Sequence, residues 1–492
     1  MTNARRLTLV LTVALLTLPA LASANVFPSN LSQSTNLVNT ALSQSVSLGF
    51  ILNEDATAGV TVAVKNETTS TVVRTFTFAS LTKGAQSVVW DGKDDANNVV
   101  ADGVYSFKVT ASATGFGAWT QISNDANTTN QFYSPRGVTV NRDPASPYYG
   151  RTYVVEPTGG LCASGRTTTE GLYLLNADQS SAVGQGDTGL KGGVAWGTTN
   201  SPYRAEVGPD GNVYISDWSD SHSGLWMADP NVAAATEVLD STGRDTAGLN
   251  ATHGSISSTM VEGVGAARTI YTIDEDFPNS TSAQRGSILR YDIGTATTFS
   301  GAPSAIFYDD AAVGNLNQNY NSDMIRANDG TIWVTQNRAG GTDTLPSLWQ
   351  ISADGTTVLW SSVPALGANS LADPLRRNYS LAYDPVSNLL AIGTQLNGAV
   401  IIFDPATKSI VTSVIAGTST SYNRDVAFDA VGNLYVVNNT IEQLRVFSPA
   451  GANTSFTDSL APIGAINVVP EPGSLLALGA GLASLVGLIR RR

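Results

Sequence analysis

The chain of 492 residues has one cysteine, Cys162, and two histidines, His222 and His253. A lone thiol excludes an intrachain disulfide and a cysteine-rich metal site. A catalytic thiol or serine would have to draw its base from two histidines in Ser/Asp/Gly-rich loops, "SDSHSG" and "NATHGS". Neither setting singles them out from solvated loop residues. Charge is scarce at 14% and mostly of one sign, with 40 Asp and Glu against 27 Lys and Arg. Setting aside Arg5, Arg6, Arg490, Arg491, Arg492 and Glu471 in the end segments leaves 22 basic against 39 acidic residues, or −17. Such a body repels nucleic acid and anionic lipid, so no nucleic-acid partner is expected. It suits a solvated surface protein or one that meets divalent cations. No Gly-x-Ser-x-Gly elbow, phosphate loop or His-Glu-x-x-His motif is present. What is abundant is glycine, at 46 residues, with Val, Thr, Ser and Asn throughout. That mixture predicts an all-β protein with many turns.

Both ends read as addresses. Arg5 and Arg6, the apolar run Leu7–Leu18 and the small residues Ala22-Ser23-Ala24 form a signal peptide over 1–24, cleaved after Ala24. No cysteine follows, so an N-terminal lipid anchor is not expected. At the other end Gly473–Ile489 gives 17 uncharged residues before Arg490, Arg491 and Arg492. As a helix they would extend about 25 Å, a marginal transmembrane span held by arginines on the cytoplasmic side. Ahead of them Pro470-Glu471-Pro472 forbids helix and keeps the backbone extended, a form that suits an enzyme's cleft. The order Val-Pro-Glu-Pro, apolar span and terminal arginines over 467–492 resembles the PEP-CTERM sorting signal. The resemblance implies a Gram-negative, exopolysaccharide-producing bacterium, recognition by an exosortase, and removal of a tail that meets the membrane only transiently. The plainer reading is a permanent tail anchor.

Residues 25–112 alternate as strands do in "SVSLGFIL", "GVTVAVKN", "STVVRTFTF", "QSVVWDG" and "GVYSFKVTAS". About seven short runs predict a small β-sandwich. The stretch "VVWDGKDDANNVVADGVYSFKVTA" resembles the immunoglobulin-like domain of flagellar hook-capping proteins, through Trp90, Asp91, Gly92, Asp94, Asp95, Val100, Gly103 and Tyr105. Relatives usually carry glycine near Asn97. Trp90 and Tyr105 should plug the core. Asp91, Asp94 and Asp95 have calcium-binding chemistry but lack a ligand at loop-closing distance, so turn capping is the simpler role.

Residues 113–466 repeat. "RTYVVE", "NVYISD", "TIYTID", "TIWVTQ", "NLLAIG" and "NLYVVN" align on Tyr153, Tyr214, Tyr271, Trp333, Leu390 and Tyr435, spaced by 61, 57, 62, 57 and 45. Glycine stands three positions earlier in four of them, at Gly150, Gly211, Gly330 and Gly432, in turns such as "PDGN". With a strand before each turn, a third after each aligned strand and a fourth in most, this predicts a six-bladed β-propeller. The motif resembles degenerate NHL-type repeats. Residues 113–135 would either hide a seventh blade or close the ring by pairing with the last one.

Three residues past each aligned position stand Glu156, Asp217, Asp274, Gln336, Gly393 and Asn438, five of them polar. Equivalent places ring the propeller axis. Acidic and amide side chains from several blades, as in lactonase-type propellers, would make a calcium or sugar site, with Glu156, Asp217 and Asp274 as metal ligands. Alternatively each side chain caps the turn that follows its strand, the preferred reading. "IDEDF", with Asp274, Glu275 and Asp276, is either a cation site or a solvated acidic face. Cys162 lies in a Gly/Ser/Thr-rich loop with no sign of a role. The resemblance to the sorting signal, taken with the repeats, implies an exported surface or matrix protein whose propeller binds exopolysaccharide or another surface protein. Trp218 and Trp226 are candidate sugar-stacking rings, though Trp226 fits better between blades. The alternative is a secreted calcium-dependent propeller enzyme of lactonase, lyase or esterase type.

Overall fold

A computed structural model describes residues 25–467, apart from 198–199, 220–223, 240–254, 275–285, 300–301, 310–320, 337–346, 363–374, 376 and 396. The signal peptide with Ala22 and Ala24, the sorting signal with Pro470, Glu471, Pro472 and Arg490–Arg492, and the span 473–489 lie outside them. So do His222, His253, Glu275 and Asp276. Among the described residues no helix is long and apolar enough to cross a membrane.

The described chain is all-β. Its first unit is a sandwich of β1 (Pro28–Gln33), β2 (Leu37–Asn39), β3 (Val46–Leu52), β4 (Gly59–Asn66), β5 (Val72–Phe78), β6 (Gly84–Trp90) and β7 (Gly103–Phe116). One sheet runs β1-β3-β6, and the other contains β7-β4-β5. β4 alternates buried and half-buried residues along its length, as a strand with one face on the core must. Trp90 and Tyr105 are fully buried, with ring centroids 5.2 Å apart. Each finds a partner for its polar tip: Trp90 Nε1 donates to the Lys93 carbonyl at 3.0 Å, and Tyr105 Oη to the Ala101 carbonyl at 2.8 Å. Asn97 adopts φ +66°, so an asparagine fills the left-handed position where relatives carry glycine. The three aspartates stitch turns: the backbone N–H groups of Lys93, Asn98 and Thr75 donate to Asp91, Asp94 and Asp95.

Two strands expected in the propeller belong here instead. Gly451–Asp458 pairs antiparallel with the second half of β7, and Ile463–Ile466 pairs with its start and, in parallel, with β2. Both expected bounds of the propeller, 113 and 466, are therefore corrected: β7 runs on to Phe116, residues 451–466 return to complete the sandwich, and the propeller is inserted between its strands. The physical reason is the length of β7. At 14 residues it presents β4 with one edge and still has two successive segments of its other edge to pair. Ile463 and Ala465 are fully buried in the sandwich core.

Six blades follow. Their innermost strands are Gly137–Val140, Arg204–Val207, Ile256–Glu262, Asn321–Arg326, Asn378–Asp384 and Asn423–Phe428, packed side by side in a closed ring. The second strands carry the aligned positions: Thr152–Glu156, Val213–Asp217, Thr269–Asp274, Ile332–Gln336, Leu389–Thr394 and Leu434–Asn438. Blades 2 to 5 are four-stranded sheets. The last blade takes Thr120–Gln121 as its outer strand, so the stretch 113–135 closes the ring rather than forming a seventh blade. Gly150, Gly211, Gly330 and Gly432 all have φ between +78° and +87°, the left-handed corner between first and second strands that a side chain disfavours.

The aligned large residues form the contacts between blades. Tyr153 packs with Val213 and Ile215 of blade 2, Tyr214 with Ile270 of blade 3, and Tyr271 with Val334 of blade 4. Trp333 packs with Ile392 of blade 5, and Tyr435 with Val154 of blade 1. Each such ring contributes about 2 kcal/mol of burial. One repeated residue per blade thus builds a core running around the ring, and the axis itself is left to the innermost strands.

Candidate functional site

The six aligned positions, five of them polar, lie one strand away from the axis, behind the innermost strands. Glu156, Asp217, Asp274 and Gln336 are fully buried. Glu156 accepts from the Ser134 backbone at 2.5 Å. Asp217 accepts from the Ser201 hydroxyl at 2.5 Å and from the Ser219 N–H and hydroxyl at 2.8 and 2.7 Å. Asn438 donates to Asn423 Oδ1 and accepts from the N–H groups of Thr440 and Ile441. These bonds tie strand ends to the loops beside them. Among the described residues no group of three or more His, Cys, Asp or Glu is arranged to hold a metal ion. Burial pushes the Glu156 carboxyl up to about 8. The thiol of buried Cys162 is likewise pushed up by burial, which makes it a poor nucleophile. Trp226 packs edge-on against Trp196, at 5.5 Å, in the core between blades 1 and 2.

The chemistry at the axis comes from residues that neither alignment nor spacing marks. Arg204 opens the innermost strand of blade 2 and crosses the channel, 5% exposed. Its Nη1 stands 3.2 Å from Asp323 of blade 4, and its Nε 3.8 Å from Asp425 of blade 6. The guanidinium also donates to the carbonyls of Ser257 in blade 3, Tyr379 in blade 5 and Arg424 in blade 6. Asp323 accepts from the Ser258 hydroxyl at 2.7 Å and the Leu381 N–H at 2.9 Å; Asp425 accepts from the Val138 N–H of blade 1 at 2.9 Å. All six blades meet in one network. Burial works against the Arg204 charge, but Asp323 and Asp425 more than offset it and hold it protonated. Burial pushes both carboxyls upward while Arg204 pulls them back. Gly137 lets blade 1 close on this plug, since a Cβ there would stand 2.8 Å from Arg204 Cα.

On one side of the plug the axis holds a cavity of about 120 Å³, lined among others by Glu206, Arg142, Tyr383 and Phe428. Arg142 Nη1 donates to the Tyr383 carbonyl at 3.3 Å. Burial pushes the Glu206 carboxyl up to about 8, against a Val261 hydrogen bond and the Arg142 charge. On the other side, at the starts of the innermost strands, Arg136, Tyr203, Tyr379, Tyr422 and Arg424 gather around the axis and form its mouth. Trp218 stands here too, its ring 5.0 Å from Tyr203.

The sandwich meets the face opposite that mouth. Phe27 packs on Tyr149 at 5.0 Å, beside Ala177 and Val431. Asn433 donates to the Asn25 carbonyl at 2.8 Å, and Lys83 Nζ to the Ile122 carbonyl at 3.2 Å. Glu54 is buried at this junction, and burial pushes it up to about 7 against the pull of the Ser448 hydroxyl beside it. Asp429, in a first-to-second-strand turn, is likewise pushed to about 7 by burial. β7 spans the sandwich from Gly103, beside Ala465, to Phe116, beside Gly451. Thirteen strand steps put the chain's exit from the sandwich roughly 40 Å from the propeller junction.

Residues 34–115 match the FlgD Ig-like domain, and residues 468–492 match the PEP-CTERM protein-sorting motif. No curated protein matches the chain. A protein of unknown function from Bacteroides thetaiotaomicron is 10% identical, with 87% of this chain and 98% of that one covered and a TM-score of 0.41. The β-propeller domain of Cps50 (Swd1) from Myceliophthora thermophila is 8% identical over 86% of this chain and 96% of that one, with a TM-score of 0.33. FlgD from Pseudomonas aeruginosa is 26% identical over 19% of this chain and 66% of that one, with a TM-score of 0.15. Structural likenesses at this level carry no argument about ligand or activity. The sorting motif marks the chain for exosortase handling and export to the cell envelope of a Gram-negative bacterium. The chain joins a FlgD-type immunoglobulin-like domain to a six-bladed propeller and ends in a PEP-CTERM protein-sorting motif.

Proposed function

We propose that this is a display protein of the outer cell surface, in which the sandwich is a spacer and the propeller binds exopolysaccharide or another surface protein. The observation that carries this is polarity along the molecule. The strand leading to the sorting motif leaves at the far end of the sandwich, and the propeller sits at the near end with its open mouth turned away. Once an exosortase has taken the apolar tail, retention falls to the folded part, and the mouth is the surface aimed outward. A concave site with arginine and aromatic side chains around it suits an oligosaccharide segment better than a large flat partner.

The test is binding of the producing strain's own exopolysaccharide to the full chain, with calcium and with chelator. Saturable binding in both conditions is expected. An absence of binding in both conditions would move the reading to a protein partner. Binding that needs calcium would restore Glu156, Asp217 and Asp274 as ligands.

A further inference from the structure

The mouth holds two guanidiniums that lack counter-ions. Arg136 precedes the innermost strand of blade 1, and Arg424 is the second residue of that of blade 6. Neither side chain makes an ion pair or a hydrogen bond among the described residues, and the Nε of each is buried without an acceptor. Arg424 is held only by ring faces, its guanidinium carbon 4.7 Å from the Tyr379 centroid and 5.2 Å from that of Tyr422. Trp218, stacked near Tyr203, also buries its indole N–H without an acceptor. Three orphaned donors around one opening define a place that wants oxygen acceptors. The neighbouring plug does not neutralise it: Arg136, Arg204 and Arg424 stand against Asp323 and Asp425, an excess of one positive charge. That excess sits on a chain whose formal charge is −13. Burial, then the like charge of Arg424, push the Arg136 guanidinium below its ordinary value, the mark of a cation awaiting a partner.

We propose that this mouth binds a carboxylate-bearing sugar, a uronate unit of an acidic polysaccharide, with Arg136 and Arg424 taking the carboxylate. This rests on the polysaccharide reading above and narrows it to one chemical class and one site. Guanidiniums grip a carboxylate bidentately, in a geometry that a hydroxyl does not match. The half-buried rings of Tyr379, Tyr422 and Trp218 flank them with surface that is apolar in body and polar at the tip, which suits the C–H face of a pyranose ring and favours a sugar over an acidic peptide. The acidic exterior works in the same direction. It discourages adsorption elsewhere on the protein, while at physiological salt its repulsion dies away within about 8 Å and leaves the local positive charge in control.

The experiment is calorimetric titration of the full chain with trigalacturonate, with its fully methyl-esterified form and with hexaglutamate. Trigalacturonate is expected to bind, more weakly as salt rises, and the ester is not. Arg136→Gln with Arg424→Gln should weaken binding about a hundredfold, roughly tenfold per lost charged contact. Arg136→Lys with Arg424→Lys keeps the charge and should retain part of the affinity, which separates lost binding from a lost fold. Equal binding of acid and ester, unchanged binding by the Gln pair, or tighter binding of hexaglutamate would overturn the proposal. The strain's own polysaccharide keeps the two readings apart. If the Gln pair binds it as the unaltered chain does, the site falls and the polysaccharide reading stands; if the unaltered chain does not bind it, the polysaccharide reading falls and the site with it.

Discussion

Arg204→Met should be among the most damaging single substitutions in the propeller, and its cost should depend on pH. The substitution leaves Asp323 and Asp425, 8% and 4% exposed, without the cation that stands 3.2 and 3.8 Å away. Removing one partner of a buried ion network typically costs about 3–5 kcal/mol, because the remaining charge is stranded. The carbonyls of Ser257 and Arg424 lose a donor as well. The stranded carboxyls can escape only by taking up protons. Their native-state affinity for protons rises above that of the unfolded chain, so stability falls as pH rises, by up to about 1.4 kcal/mol per pH unit for each group. Urea unfolding at about pH 5 and about pH 8 should therefore show a smaller loss at the lower pH, by about 2 kcal/mol or more, with an unchanged slope. Adding Asp323→Asn and Asp425→Asn should restore most of the stability at the higher pH. A loss under about 1 kcal/mol, or one equal at both pH values, would refute the view that this network holds the ring.

The domain junction predicts a second pH effect. Glu54 and Asp429 are both pushed up to about 7, so the folded chain loses stability as pH climbs from about 5 to about 8; Glu54→Gln should raise the melting temperature at pH 8 and leave it little changed at pH 5. The size is bounded by a shift from 4.5 to about 7, or roughly 3 kcal/mol. Ending the chain after Ser448 should abolish the sandwich transition in calorimetry, because β7 loses both strands along one edge, whereas ending it after Asn467 should leave that transition in place. Tyr435→Ala opens the contact between the last and first blades and should cost about 3–5 kcal/mol, read as a lowered melting temperature of the propeller.

Much of the architecture is legible in the sequence because one rule is repeated. An aromatic at a fixed place in the second strand marks five of the six blades and a glycine three residues earlier marks four, and both act locally, through packing and through φ. The destination of residues 451–466 is not legible. "GANTSFTD" alternates as any half-buried edge strand does, and nothing in its pattern distinguishes the outer edge of a blade from the edge of β7. The axial site escapes for a related reason. Arg204, Asp323 and Asp425 are far apart in the chain and meet only when the ring closes. A signal is present, since "RAEV", "NSDMIR" and "NRDVAF" each place a charge in a strand that must be buried on both sides. The acids at 156, 217 and 274 attract notice because they align, and the bonds seen at Glu156 and Asp217 tie their strand ends to adjacent loops. The axial residues Arg204, Ser258, Asp323, Ser380 and Asp425 share one register position in their blades but differ in kind, so a search for a repeated residue type passes over them.

The most direct test of the account is where the protein resides when either half of the proposed contact is removed. The full chain should be found at the surface of the producing strain. It should pass to the medium in a strain unable to make exopolysaccharide, and equally when Arg136 and Arg424 are both replaced by glutamine. Surface retention that survives the loss of the polysaccharide would contradict the central claim that the propeller's mouth, turned away from the sorting end, is what holds this protein in place.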